Sequence, residues 1–351
     1  MPAGSNRAAV ANITDVAKLA GVSHQTVSRV LNDAAVRPAT RARVDAAIRV
    51  LNYRPSSAAR ALVTRKSNAI GLIATGAPLY GPSNTMLAFN EAARAAGYQV
   101  TIASMTSVDR ASMVSAVEVF LRQRVEALVL IVADVAAFDA IAGLDIDVPL
   151  VTAESSGREG FLSVSIDQFA GARLAVRHLI GLGHREILHV KGPDWSVDAA
   201  ERERGWRTEL EASGLTVVPP LAGTWLADSG YAIGKKLAST GAVGAGRATA
   251  IFSANDQMSI GLLHALSDAG LRVPGDVSVV GFDDIPESVH YSPPLTTVRQ
   301  DFADLGARMM ETLLQVLDGR PPLDPVHATP ELIVRASTGR AIPLPNREVN
   351  A

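Results

Sequence analysis

Residues Asn12 to Asp33 read NITDVAKLAGVSHQTVSRVLND, and the spacing of apolar residues predicts two short helices joined by a tight turn. Asn12 is suited to cap the first helix, with Asp15 three residues on, near the positive end of its dipole. Val16 and Ala20 fall on one face, and Gly21 stops the helix where a turn needs positive φ. Ser23 caps a second helix whose inward stripe is Val27, Val30 and Leu31. Ala17 and Ala20 are small enough to let the two helices cross closely. A third helix follows, with Pro38 at its first position and Val44, Ala47, Ile48 and Leu51 as its stripe.

The outward face of the second helix carries the chemistry. His24 with Ser28, and Gln25 with Arg29, are i,i+4 pairs, so four polar side chains project together. A glutamine amide matches adenine and an arginine fork matches guanine O6 and N7, on a helix that a partner helix presents to the major groove. The charge agrees. Met1 to Lys66 holds 11 basic and 3 acidic residues, a net +8, while the rest of the chain holds 22 basic and 32 acidic, a net −10. The whole-chain value of −2 is a near-cancellation. A purely structural bundle with an incidental polar face does not account for spacing, turn glycine and charge together.

From Ala69 onward the rhythm changes to short apolar strands alternating with helices. Ile70–Ala74, Val100–Ala103, Leu128–Val132, Leu150–Thr152, Ile187–Val190, Thr249–Phe252 and Val277–Val280 read as strands. Asn84–Ala96, Asp109–Arg122, Val135–Ala142, Ala199–Ala212, Ala227–Leu237 and Asp256–Ala269 read as helices between them. Repeated βα units imply parallel sheets covered on both faces. Two such series predict two similar lobes, with a ligand in the cleft at the strand ends. The expected crossings between lobes lie near Asp167, after Gln168–Leu182, and near Arg299. Asp301–Leu317 reads as an amphipathic helix ended near Gly319.

DVAKLAGVSHQTVSRVLN, followed by LNYRPSSAARAL, resembles the DNA-binding head of the lactose-repressor (LacI/GalR) family of transcriptional regulators. SANDQMSIGLLHAL, VPGDVSVVGFDD and YSPPLTTVRQDF resemble its periplasmic-binding-protein-like core, and the likeness covers nearly the whole chain. The resemblance implies a helix-turn-helix head joined to a two-lobed α/β core of doubly wound parallel sheets. The expected order is a disordered N-terminal extension (1–11), the head (12–54), a hinge helix and linker (55–66), the effector-binding and dimerisation core (67–340) and a tail (341–351). The implied DNA contacts are Ser23, His24, Gln25, Thr26, Ser28, Arg29 and Asn32. Leu62 is the implied wedge into the minor groove, with Ala59 beside it. A short hinge helix rich in Ala, Arg and Ser has little apolar face and is marginal alone. An apolar wedge offsets unstacking by letting a bent duplex wrap more protein.

The same resemblance implies effector contacts at Thr75, Arg202, Trp225, Asn255, Asp283, Gln300 and Phe302. These residue types suit a small sugar: Arg, Asn and Asp offer directional donors and acceptors to ring hydroxyls, and an indole packs on the C–H face. Taken alone, Asn255 is equally a helix cap, Trp225 a core residue and Arg202 an ion-pair member. Two positions depart from the family pattern. VTAES places Ala153 where an aspartate is usual, with Glu154 next, and Ile131 replaces a ligand-facing asparagine. The expected effector is a galactoside-like inducer, with another sugar or a corepressor as the alternative. The tail RASTGRAIPLPNREVNA has two prolines and no leucine heptads, so the expected assembly is a homodimer on a near-palindromic operator.

Other classes find little support. The chain has no cysteine, which excludes a disulfide scaffold, a thiolate metal cluster and a cysteine nucleophile. GAVGAG at Gly241–Gly246 and GYAIGK at Gly230 have the wrong spacing for phosphate loops. There is no HExxH and no GxSxG, so neither an enzyme nor a metal or cofactor is expected. A periplasmic sugar receptor would share the core, but MPAGSNRAAVA has no signal-peptide core, and such a receptor has no use for a basic head. Apolar runs such as Ala127–Ala133 fall far short of the ~20 residues that span a bilayer. The expected location is the cytoplasm.

Overall fold

The computed structural model describes residues 11–32, 34–53, 66–75, 79–105, 109–131, 134–141, 143–155, 161–321 and 326–341, without the side chains of Thr75 and Val326. They fall into two compact units, one up to Asn68 and one from Ala69 onward. The expected extension, the hinge helix with Ala59 and Leu62, and most of the tail lie outside the described residues.

The first unit contains α1 (Ile13–Ala20), α2 (His24–Leu31) and α3 (Pro38–Leu51). Asn12 and Asp15 form a reciprocal capping box on α1, and Gly21 ends it at φ 64°. Ser23 Oγ accepts from the backbone N–H of Thr26 and starts α2. Val16, Ala17, Ala20, Val27, Val30, Val44 and Ala47 make the buried centre, with Leu31, Ile48 and Leu51 half-buried around it.

The second unit is built on two six-stranded sheets. The first lobe contains β1 (Ala69–Thr75), α4 (Tyr80–Ala95), β2 (Gln99–Met105), α5 (Arg110–Arg122), β3 (Ala127–Ile131), α6 (Val135–Ile141), β4 (Leu150–Ala153) and β5 (Leu162–Ile166). The second contains α7 (Gln168–Gly181), β6 (Ile187–Lys191), α8 (Val197–Ala212), β7 (Leu221–Ala222), α9 (Ala227–Ser239), β8 (Ala250–Ser253), α10 (Asp256–Asp268), β9 (Ser278–Asp283) and β10 (Thr296–Arg299). The chain then runs through α11 (Phe302–Leu317), β11 (Val326–Ala328) and β12 (Glu331–Ile333).

The strand orders are β11-β5-β4-β3-β1-β2 and β12-β10-β9-β8-β6-β7. Each reverses direction beside its first strand, β1 or β6, which creates the crevice where doubly wound sheets hold ligands. All pairings are parallel except β10 with β12, an antiparallel edge. Each sheet is buried on both faces by apolar clusters.

Three differences from the sequence reading have clear physical causes. No crossing follows α7, because α7 packs on α8 and β6 lies in the same sheet as β8. The third crossing runs instead from β11, paired with β5, to β12, paired with β10. The first two cross after β5 and after β10, where α11 leaves to pack on α4. Second, α4 begins at Tyr80 rather than Asn84. Gly81 and Pro82 read as breakers, yet proline is tolerated in a first turn, whose N–H groups have no intrahelical acceptor. Third, β5, β7, β10, β11 and β12 are short strands with little apolar run to announce them.

Candidate functional site

Two surfaces carry the candidate chemistry. On α2, His24, Gln25 and Arg29 are exposed while Val27 and Val30 are buried, so one face anchors the helix and the other is free for a partner. Ser23 Oγ and Thr26 Oγ1 lie 3.0 Å apart at its start, and Asn32 Nδ2 donates to Ser28 Oγ at 3.4 Å near its end. Ser23 and Asn32 are exposed and Thr26 and Ser28 half-buried.

The second surface is a cleft of about 720 Å³, counting the part open to solvent, between the two lobes of the core. It is lined by the carboxyl ends of both sheets: Ile131 of β3, Ala153 of β4 and Ile166 of β5 from one lobe, and Asp283 of β9 with Asn255 and Gln300 after β8 and β10 from the other. The first turn of α4 adds Tyr80, Gly81 and Pro82, and the first turn of α8 adds Asp198.

A closed ring of buried polar side chains lies at the second-lobe wall. Arg202 Nε donates to Gln168 Oε1 at 2.9 Å, and Gln168 Nε2 donates to Gln300 Oε1 at 2.8 Å. Gln300 Nε2 donates to Asp283 Oδ1 at 2.7 Å, and Arg202 Nη1 lies 3.4 Å from the same oxygen. Arg202 also donates to the Ala254 carbonyl and stacks 3.9 Å above the Phe282 ring. Each member is no more than 7% exposed, so each polar atom depends on its neighbours for partners.

Burial pushes the Asp283 carboxyl up to about 6, against the pull of Arg202 and Gln300. Burial, then Asp283, holds neighbouring Asp256 well above the usual carboxylate range. Its two oxygens accept from Thr297 Oγ1 at 2.6 Å and from the Ile285 N–H at 3.0 Å. Trp225 sits at φ 71° with its ring against Gly192, where any Cβ would overlap the indole. Asn255 holds it: Nδ2 donates to the Trp225 carbonyl at 3.0 Å, while Oδ1 caps α10 by accepting from Met258 N–H at 2.9 Å. Asn255 therefore serves as a helix cap and lines the cleft at once. Phe302 meets Tyr80 edge-on at 5.8 Å on the opposite wall.

Residues 12–56 match the family model described as bacterial regulatory proteins, lacI family, and residues 176–338 match the periplasmic binding protein-like domain. The lactose operon repressor of Escherichia coli K12 is 36% identical over 308 residues, covering 87% of this chain and 84% of that protein. The chain belongs to the LacI family. Another LacI-family relative, the HTH-type transcriptional repressor PurR of Haemophilus influenzae (strain PittEE), is 32% identical over 337 residues, 93% of this chain and 98% of its own length. A crystal structure of the lac repressor dimer bound to operator and the anti-inducer ONPF superposes with a TM-score of 0.85 at 35% identity, covering 94% of this chain and 99% of that one. These relatives are transcriptional repressors rather than enzymes, and this chain is a DNA-binding repressor of the same family. Among the described residues no helix is long and apolar enough to cross a membrane, and no group of three His, Asp or Glu could hold a metal ion.

Of the seven effector positions read from sequence, this LacI-family core brings six to one cleft: Arg202, Trp225, Asn255, Asp283, Gln300 and Phe302. Thr75 ends β1, and its side chain lies outside the described residues. Sequence reasoning missed Gln168, Asp198 and Gln257. Gln168 opens α7 directly after the Asp167 cap, and a polar residue at the first helical position is ordinary, so nothing marked it. Asp198 had a signal in the ERERGW helix, since an acid in a first turn is common, but that signal pointed only to the dipole.

Proposed function

We propose that this repressor is a homodimer that releases its operator when a small glycoside, a galactoside first, enters the cleft between the lobes. One observation carries the reading. The Arg202–Gln168–Gln300–Asp283 ring, with Trp225 beside it, presents fixed polar groups and an indole face at the second-lobe wall of a cleft that the strand ends of both sheets line. A ligand held by both lobes favours one lobe arrangement over another. It shifts operator affinity only by its differential affinity for the two states.

On the DNA side, Gln25 and Arg29 read base edges, and Ser23, Thr26, Ser28 and Asn32 contact phosphates. His24 stands where the lactose repressor has a tyrosine, so base preference at that position differs from that repressor's. The hinge residues Ala59 and Leu62 complete the interface at the operator centre. A second reading, a ligand other than a galactoside, is favoured by the apolar Ile131 and Ala153 at the ends of β3 and β4, and the PurR relatives point to a corepressor as the alternative.

A gel shift on the promoter regions beside the gene, with and without galactosides and other sugars, separates these readings. Loss of the shifted band on adding sugar supports the inducer. Tighter binding supports the corepressor, and no binding under any condition overturns the operator reading.

A further inference from the structure

Among the described residues, four side-chain amides line the cleft: Gln168, Asn255, Gln257 and Gln300. Three of them spend both ends of the amide inside the protein. Gln168 accepts from Arg202 and donates to Gln300, which in turn donates to Asp283. Asn255 accepts from the Met258 N–H and donates to the Trp225 carbonyl. Gln257 differs, because its Oε1 is buried and accepts no hydrogen bond among the described residues. His189 Nε2 is in the same condition, but His189 is stacked against Trp206 and Phe252 and is not part of the cleft lining.

The support under Gln257 is rigid. It is the second residue of α10, between Asp256 and Met258, neither of which has exposed surface. Thr297 and the Ile285 N–H hold Asp256, and Met258 packs in an apolar cluster of the second lobe. Gln257 itself is half-buried, and the last torsion of a glutamine side chain is broad. An amide tied to nothing on a fixed helix start can turn its oxygen to a ligand, and a donor there ends the cost of an unanswered acceptor.

We propose that Gln257 is a specificity-determining residue of the cleft, whose Oε1 accepts a hydrogen bond from one hydroxyl of the effector and discriminates against analogues lacking it. The inference rests on the reading of the cleft as the effector site. The other three amides shape the wall, whereas Gln257 reads the ligand.

Calorimetric titration of the full-length chain with methyl galactoside and methyl glucoside, each beside its 2-, 3-, 4- and 6-deoxy forms, tests the proposal. For whichever parent binds, the deoxy sugar lacking the hydroxyl read by Gln257 should bind wild type about tenfold more weakly. Gln257→Met should erase that ratio by lowering affinity for the parent about tenfold, with affinity for this deoxy sugar unchanged. A damaged fold would lower both. Gln257→Glu keeps an acceptor oxygen and should keep the ratio. A Met variant that retains every parent-to-deoxy ratio, or loses parent and deoxy sugars alike, overturns the assignment and leaves the effector reading standing. So does a Glu variant that loses the ratio. If neither parent sugar binds wild type, the galactoside reading falls and this inference with it.

Discussion

Arg29 and Asp283 do opposite jobs with charge. Arg29 is exposed on α2, its fork open to a base edge, and Arg29→Ala should cost about 1–3 kcal/mol at one base pair in each half-site. Binding assays on operators mutated one position at a time check this: discrimination should relax at that pair alone. A uniform loss across all sequences would instead mark Arg29 as a phosphate contact. Asp283 is buried, and burial, partly offset by Arg202 and Gln300, raises its folded pKa to about 6, above an unfolded value near 4. The folded state therefore holds the proton more tightly. That stabilisation is full below about pH 4 and is lost as pH rises through about 6. Between pH 4.5 and 7, wild type should lose about 2 kcal/mol of urea-unfolding stability relative to Asp283→Asn. The cost of leaving Arg202 without its carboxylate is the same at both pH values and drops out of the comparison.

At the scale of elements, caps and close crossings decide where helices sit. Ser23 Oγ satisfies the Thr26 N–H at the start of α2, and Ser23→Ala should lower head stability by about 1 kcal/mol, measured by thermal unfolding of the full chain. This cap, the α1 capping box and Gly21 were all legible in Asn12–Asp33, because capping is chemistry within four residues along the chain. The glycines of α9 and α10 were not legible in the same way. Gly230 and Gly261 lie where the two helices touch backbone to backbone: a Cβ on Gly230 would overlap the Met258 carbonyl, and one on Gly261 the Ala227 carbonyl. GYAIGK had registered only as a failed phosphate loop. Gly261→Ala should lower stability by about 3 kcal/mol, read as a lower urea midpoint at unchanged slope. The first turn of α4 was missed for a related reason. Local propensity marks Gly81 and Pro82 as breakers, while their place over the cleft is set by packing against Phe302, near Gly81 and edge-on to Tyr80.

For the whole molecule, the division of charge is the first determinant. A head of +8 on a body of −10 should bind DNA through the head, with log affinity falling linearly as log salt rises, at a slope of about −0.9 per phosphate neutralised. Replacing Lys or Arg residues of the head should flatten that slope. Changing surface charge on the core should not. The core responds to its ligand by mass action: a sugar at about 100 times its Kd should add about 2.7 kcal/mol to the stability of the folded state. A raised Tm in the presence of the sugar that weakens the gel shift would tie binding to release. Arg202→Met should abolish both effects, because it opens the buried ring at the residue that contacts Gln168, Ala254 and Asp283 together.

By itself the sequence determined the three-helix head, the alternation that makes two doubly wound lobes, the charge asymmetry and the types of residue at the strand ends. Each of these follows from neighbours within a few positions along the chain or from simple counting. Only the tertiary structure decided that Gln168 links Arg202 to Gln300 and that Asn255 holds Trp225 while capping α10. It also decided that the chain returns to the first lobe through β11 before closing on β12, and that acids from both lobes face one cavity. Those arrangements join residues 30 to 162 positions apart, and such pairings depend on the packing of whole sheets, which no local pattern records.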